Sequence, residues 1–144
     1  MTCIVGLVQD GKVYMGGDSC VAYNSEVRIL LPSMRKVFFK GDFLIGSSGA
    51  HRVAQLLEHA AIIPKQDRGV GDLHYLIDVV VSIARDALKA QGAVKIEGNA
   101  AETTETAFLV GYRGKLYRIS SDFAVTEHAD QFDAIGSGSD VALG

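Results

Sequence analysis

The order of elements in the sequence predicts an α+β fold, with helices packed on a largely antiparallel sheet. Three observations carry that reading. Two β-hairpins come first, two helices follow, and further strands come after them, so strands and helices are segregated along the chain. No internal repeat, low-complexity stretch or linker breaks the order. A chain of 144 residues, 48% hydrophobic and 22% charged, suits a single domain over residues 1–144 with a sizeable core.

The first hairpin opens the chain. Residues 2–9 alternate and are rich in β-formers, Asp10-Gly11 is a two-residue turn signal, and residues 12–15 resume an apolar strand. With Asp10 and Gly11 as the loop, Gln9 pairs with Lys12 and, without a bulge, Cys3 lies opposite Asp18 and Thr2 opposite Ser19. Thr2 and Asp18 become neighbours. Initiator Met is commonly trimmed before a small residue, and a free Thr2 would supply two groups at once. Its hydroxyl is a nucleophile, and its α-amine, with a pKa of about 7.7–8.0, can take the hydroxyl proton. An ordinary Thr at the start of an edge strand is the plainer reading of that residue by itself. Cys3 and Cys20, the only cysteines, read as small buried hydrophobes of a reducing compartment, although the register brings them close enough for a disulfide under oxidation.

Residues 19–35 read as an extended loop with a brief strand at 27–31, ended by Pro32. A second hairpin joins residues 36–40 to 43–46 through Gly41-Asp42, which sets Lys36 opposite Ser47 and at the mouth of Ser47-Ser48-Gly49. A helix over residues 50–61 follows, with Val53, Leu56, Leu57, Ala60 and Ala61 on one face, Ser48 or Gly49 at its start and Pro64 beyond its end. Free amides and the positive end of the helix dipole there offer a seat for a developing oxyanion. A cap and turn without further duty is the alternative.

Residues 62–71 read as a loop, and Asp72 as the cap of a long helix to about residue 91. Leu73, Leu76, Ile77, Val80, Ile83, Ala84, Ala87 and Leu88 fall at helical spacing, and Gly92 stops the helix. Residues 92–104 are small and polar, hence a loop. Strands are expected over 106–112, 115–120 and 123–126, the first two joined by Arg113-Gly114, with Tyr112 and Tyr117 packing across that hairpin. The chain ends with a short strand from Phe132, a Gly-rich turn and a helix capped by Ser139. Gly136-Ser137-Gly138 lacks the third glycine of a dinucleotide fingerprint and the lysine of a P-loop, which sets a nucleotide cofactor aside.

Net charge is −3 with scattered Lys and Arg, which argues against nucleic acid as a partner. The apolar runs are too short for a membrane span and the start lacks a secretory pattern, so a cytoplasmic protein is expected. His51, His59, His74 and His128 show no metal-ligand spacing and read as surface or helix-face residues.

The opening TCIVGLVQDGKVYMGGD, the block KVFFKGDFLIGSSG, the two helices and the closing AIGSGSDVALG together resemble the proteasome-like N-terminal-nucleophile (Ntn) hydrolases, in particular bacterial and phage relatives of the proteasome β-subunit. The resemblance spans nearly the whole chain. It implies an αββα sandwich of largely antiparallel sheets. It also implies Thr2 as catalytic nucleophile, Asp18 and Lys36 as its carboxylate and ammonium partners, Gly49 as the oxyanion amide and Ser137 as the residue that organises the terminal amine. Cys20, Ala22, Ser47 and His51 correspond to substrate-pocket positions. The implied activity is threonine peptidase chemistry, with no cofactor, on a peptide or unfolded protein inside a homo-oligomeric ring, fed by a separate ATP-dependent unfoldase.

The sequence departs from the family in three ways. The spacing to Lys36 is slightly long, so the preceding loop has absorbed an insertion. Family members continue beyond the position of Gly144, and their further supporting aspartate and serine have no counterpart here. The αββα sandwich is therefore expected to be C-terminally incomplete, with one apolar sheet face bare unless another chain covers it. Finally, Met1 precedes Thr2, and while it remains the Thr2 nitrogen is an amide and the enzyme inactive. A catalytically inactive structural or truncated subunit, and a non-peptidase amide hydrolase, stand as the competing readings. A partly buried ion pair without catalytic duty is the competing reading of Asp18 with Lys36.

Overall fold

A computed structural model describes residues 1–98 and 101–144. In chain order the strands are β1 (Ile4–Gln9), β2 (Lys12–Gly17), β3 (Cys20–Tyr23), β4 (Glu26–Ile29), β5 (Val37–Lys40), β6 (Phe43–Ser48), β7 (Lys95–Glu97), β8 (Ala101–Thr103), β9 (Ala107–Tyr112), β10 (Lys115–Ile119), β11 (Val125–Glu127) and β12 (Phe132–Ile135). The helices are α1 (His51–His59), α2 (Asp72–Tyr75), α3 (Val81–Ala90) and α4 (Ser139–Leu143).

The fold is α+β with antiparallel sheets, as the element order predicts. β12-β1-β2 form one sheet and β11-β10-β9-β6-β5 the other, with β3-β4 and β7-β8 as separate two-stranded ribbons. The two larger sheets stack face to face: Ile4 and Ile135 from the first meet Leu109 and Leu116 from the second in a buried cluster. On its other face the five-stranded sheet carries the helices, and Phe43, Ile45, Phe108 and Val110 pack there against Val53, Leu57, Leu76 and Leu88. The layers run helix, sheet, sheet. Among the described residues, the short α4 lies against β1 and β12 beyond them. The outer face of that sheet therefore exposes Val5, Leu7, Tyr14 and Phe132, the bare apolar face expected from the sequence.

The first two hairpins form in the predicted register. Gln9 pairs with Lys12 and Ile4 with Gly17 without a bulge, and the Asp18 amide donates to the Cys3 carbonyl at 3.2 Å. Lys40 pairs with Phe43 around Gly41-Asp42, and the Ser47 amide donates to the Lys36 carbonyl at 3.0 Å.

Elsewhere the structure corrects the sequence reading. Residues 19–35 contain a hairpin, β3-β4, in place of a loop with one strand, and its turn uses Asn24 at φ 55° where a glycine would have signalled it. A 3-10 turn, Pro32–Met34, follows. The expected loop at 92–104 includes the β7-β8 ladder, while Asn99 and Ala100 lie outside the described residues. Ala50 is the N-cap of α1, and its amide donates to Thr106 Oγ1 at 3.1 Å, so neither Ser48 nor Gly49 caps it.

The long helix departs most. α2 passes through a π-helical turn, Leu76–Val80, into α3. The buried pair Tyr75 and Leu76 is therefore repeated by Val80 and Val81, five residues on, and the face rotates. Leu73 and Ile77, predicted to be core, are 44% and 47% exposed. Asp72 does not cap this helix; its carboxylate accepts from Gln66 Nε2 and Arg113. Tyr112 and Tyr117 lie diagonally on the same face of their hairpin and in the same core cluster, and Tyr112 also stacks on Phe43, ring centroids 4.5 Å apart. Ser139 is the first residue of α4, not its cap.

The shifted face is testable. Leu76→Ala should cost about 2–5 kcal/mol in urea denaturation and Leu73→Ala less than about 1 kcal/mol, because only the first opens a cavity. Equal costs would contradict the rotation.

Candidate active site

Thr2 lies two residues before β1, Asp18 follows β2 and Lys36 precedes β5, so hairpin register delivers all three to one end of the stacked sheets. Lys36 Nζ donates to Asp18 Oδ1 at 2.8 Å and to Thr2 Oγ1 at 2.9 Å. Its side chain is only 7% exposed, so the ammonium has exchanged most of its hydration for these two oxygens. Asp18 is itself held: Oδ2 accepts from the Cys3 amide at 2.6 Å and Oδ1 from the Cys20 amide at 2.8 Å. Burial pushes the Asp18 carboxyl up, but the hydrogen bond from Lys36, the two amides and the Lys36 charge outweigh it and leave the group below its ordinary value. It is an anion at neutral pH.

Ser137 comes in from the far end of the chain, where its Oγ accepts from the Thr2 nitrogen at 3.2 Å. The turn that brings it is fixed by the Gly138 amide, which donates to the Thr2 carbonyl at 3.1 Å. Gly136 has φ 99°, and a side chain there would collide with the Thr2 carbonyl and with Ser48 Oγ. Only glycine lets this turn lie so close. Met1 is attached to Thr2, so the Thr2 nitrogen is an amide.

A cleft of about 250 Å³ opens beside Thr2 and Lys36. All four predicted pocket residues, Cys20, Ala22, Ser47 and His51, line it together with Gly49. His51 Nε2 is buried there without a hydrogen-bond partner among the described residues. Gly49 has φ 138°, and a Cβ would lie 2.7 Å from the Thr106 Cα as well as against the Glu105 carbonyl. The structure thus brings these nine residues together at one end of the sandwich, seven of them lining the cleft and Asp18 and Ser137 behind it. Cys3 and Cys20 are both free thiols. Among the described residues, no three His, Cys, Asp or Glu side chains converge as a metal site, and no helix is long and apolar enough to cross a membrane.

Sequence reasoning missed Thr106. It closes the run Thr103-Thr104-Glu105-Thr106, which looks like the end of a polar loop, and nothing local signals that it contacts the start of α1. Val21 and Tyr23 also line the cleft and were hidden by the unpredicted β3-β4 ribbon.

No protein-family model and no curated protein matches the sequence. Solved structures do match. BPH from Thiobacillus denitrificans superposes with a TM-score of 0.72 at 17% identity, covering 98% of this chain and 75% of that one. The same protein has also been solved in complex with epoxomicin. Eukaryotic HslV from Trypanosoma brucei gives 0.60 at 18% identity, with the same two coverages of 98% and 75%. Anbu from Yersinia bercovieri gives 0.62 at 14% identity and is 61% covered. The chain has the proteasome-type Ntn-hydrolase fold. At these identities the likeness is one of fold.

Because the folded Asp18 pKa is depressed, the stability it confers is complete above the ordinary carboxylate value, about 3.9, and is lost as pH falls from there through the folded value. The stability gap between wild type and Asp18→Asn, read by urea denaturation, should be widest near neutral pH and shrink below about pH 4. A gap independent of pH would contradict the pairing.

Proposed function

We propose that this chain is a threonine-type Ntn hydrolase that cleaves peptide bonds through an acyl-enzyme on Thr2. The observation that carries the proposal is the Lys36 ammonium, 2.9 Å from Thr2 Oγ1 and 2.8 Å from the Asp18 carboxylate. An alkoxide forming at Oγ1 is stabilised by that ammonium, and Asp18 keeps the ammonium charged and in place. Once Met1 is removed, the Thr2 nitrogen becomes a free amine held by Ser137 and takes the hydroxyl proton. Oγ1 then adds to the peptide carbonyl, and the Gly49 amide receives the oxyanion. Collapse breaks the C–N bond, and the Thr2 ammonium returns its proton to the leaving amine. Water, deprotonated by the same amine, hydrolyses the ester and frees Thr2. The sequence of steps calls for no cofactor.

The substrate is a peptide or unfolded protein segment, one side chain of which enters the cleft between Cys20, Ala22, Ser47 and His51. Action within a homo-oligomeric ring in the cytoplasm, with an ATP-dependent unfoldase supplying unfolded chain, completes the reading. Anbu from Pseudomonas aeruginosa, a structural neighbour with a TM-score of 0.60, was solved as a helical assembly, which supports oligomerisation of related folds.

A catalytically inactive proteasome-like structural or truncated subunit is the second reading. A non-peptidase amide hydrolase would use the same nucleophile. Met1-free protein should hydrolyse fluorogenic peptides, and Thr2→Ala should lower kcat by about 10³-fold or more. Turnover by Thr2→Ala equal to wild type would eliminate Thr2 as nucleophile. Intact mass of protein from cells that retains Met1 would favour the inactive subunit, and turnover of small acyl amides without peptides would favour the third chemistry.

A further inference from the structure

Gly49 and Ala50 join β6 to α1 beside Thr2, and this junction is supported from across the sheet. The N-cap of α1, Ala50, has no capping side chain of its own. Its amide instead donates to Thr106 Oγ1 at 3.1 Å, and Thr106 is 1% exposed. The hydroxyl is fixed in turn, because Thr106 Oγ1 donates to the Thr104 carbonyl at 3.2 Å. Thr104 Oγ1 closes the cluster: it accepts from the Thr106 amide at 3.2 Å and donates to the Thr106 carbonyl at 3.0 Å. Glu105, between them, sits at φ 54° in the left-handed region, and its amide donates to Thr103 Oγ1 at 3.2 Å. The backbone of this turn fills the space where a Gly49 side chain would stand. Every hydroxyl in this threonine cluster therefore has a partner, and the cluster packs against Gly49 and holds the amide that follows it.

We propose that Thr106 is a positioning residue for the oxyanion-binding peptide of Gly49. It acts on the residue that follows the amide: Thr106 Oγ1 holds the Ala50 amide, and the Glu105–Thr106 backbone packs against Gly49, so the two backbone dihedrals of Gly49, which relate the Ala50 amide to the Gly49 amide one peptide earlier, have little freedom. A preorganised donor stabilises charge that develops only in the transition state, so the effect belongs in kcat. The inference rests on the peptidase reading of Thr2.

The test uses full-length Met1-free protein. Thr106→Val removes the hydroxyl at nearly constant shape, and Thr106→Ser keeps it. Turnover of a fluorogenic peptide gives kcat and KM, and amide hydrogen exchange reads Ala50 directly. The expected result is a fall in kcat of about 10- to 100-fold in Thr106→Val with KM within about threefold, faster exchange at Ala50, and recovery of most of both in Thr106→Ser. Unchanged kcat and exchange in Thr106→Val would overturn the proposal, as would a Thr106→Ser protein as impaired as Thr106→Val. If Thr106→Val does not fold, Thr106→Ala leaves room for a water to accept from Ala50, and its kcat should lie between wild type and one hundredth of it; a value equal to wild type would overturn the proposal. Wild-type protein without turnover would defeat the peptidase reading, a result distinct from normal wild-type turnover with an indifferent Thr106.

Discussion

A lysine ammonium with almost no access to water must have a counter-ion, and among the described residues Lys36 has one in Asp18. That requirement ties the end of β2 to the start of β5, two strands that belong to different sheets. The register of β1 against β2 then decides what else arrives. Because Cys3 lies opposite Asp18, the Asp18 carboxylate can hold the Cys3 amide, and the residue before it, Thr2, is set against the ammonium. A slip of one residue would turn every side chain of β1 to the other face and leave Lys36 with a carboxylate but no hydroxyl.

The rest of the fold backs this end of the sandwich. The five-stranded sheet is clamped between the helices on one side and Ile4 and Ile135 on the other, which fixes β6 and therefore the Ser47-Ser48-Gly49 segment. The final strand, β12, pairs with β1 and leads into the glycine turn that carries Ser137 to the Thr2 nitrogen. Residues from both ends of the chain thus meet over one carbonyl, that of Thr2. The outer face of the three-stranded sheet, with Val5, Leu7 and Tyr14 exposed, takes no part in the site.

What the sequence made legible was local. Asp10-Gly11 and Gly41-Asp42 are turn dipeptides whose length fixes register, and register alone carried Thr2 toward Asp18 and Lys36 toward Ser47. What it hid depends on tertiary contact. The turn of β3-β4 at Asn24-Ser25 has no glycine, and the ribbon pairs with neither sheet, so its strands lacked both a turn signal and a buried face. The π-helical turn at Leu76–Val80 lets Tyr75 reach the Pro64 carbonyl and stack near Phe43 and Tyr112, partners far away in sequence. A periodicity argument assumes 3.6 residues per turn and so assigned Leu73 and Ile77 to the wrong side. Thr106 was unreadable for the same reason: its hydroxyl matters through an amide on another element.

The central claim is that Asp18-bound Lys36 makes the Thr2 hydroxyl reactive, and covalent acylation tests it without reference to any substrate preference. Met1-free protein treated with a peptidyl β-lactone should gain one reagent mass, with the ester mapped to Thr2 by tandem mass spectrometry. In Lys36→Met the labelling should slow by about 100-fold or more. Labelling of Thr2 at the same rate in Lys36→Met, or a label found on Cys20 in the same cleft and none on Thr2, would contradict the account.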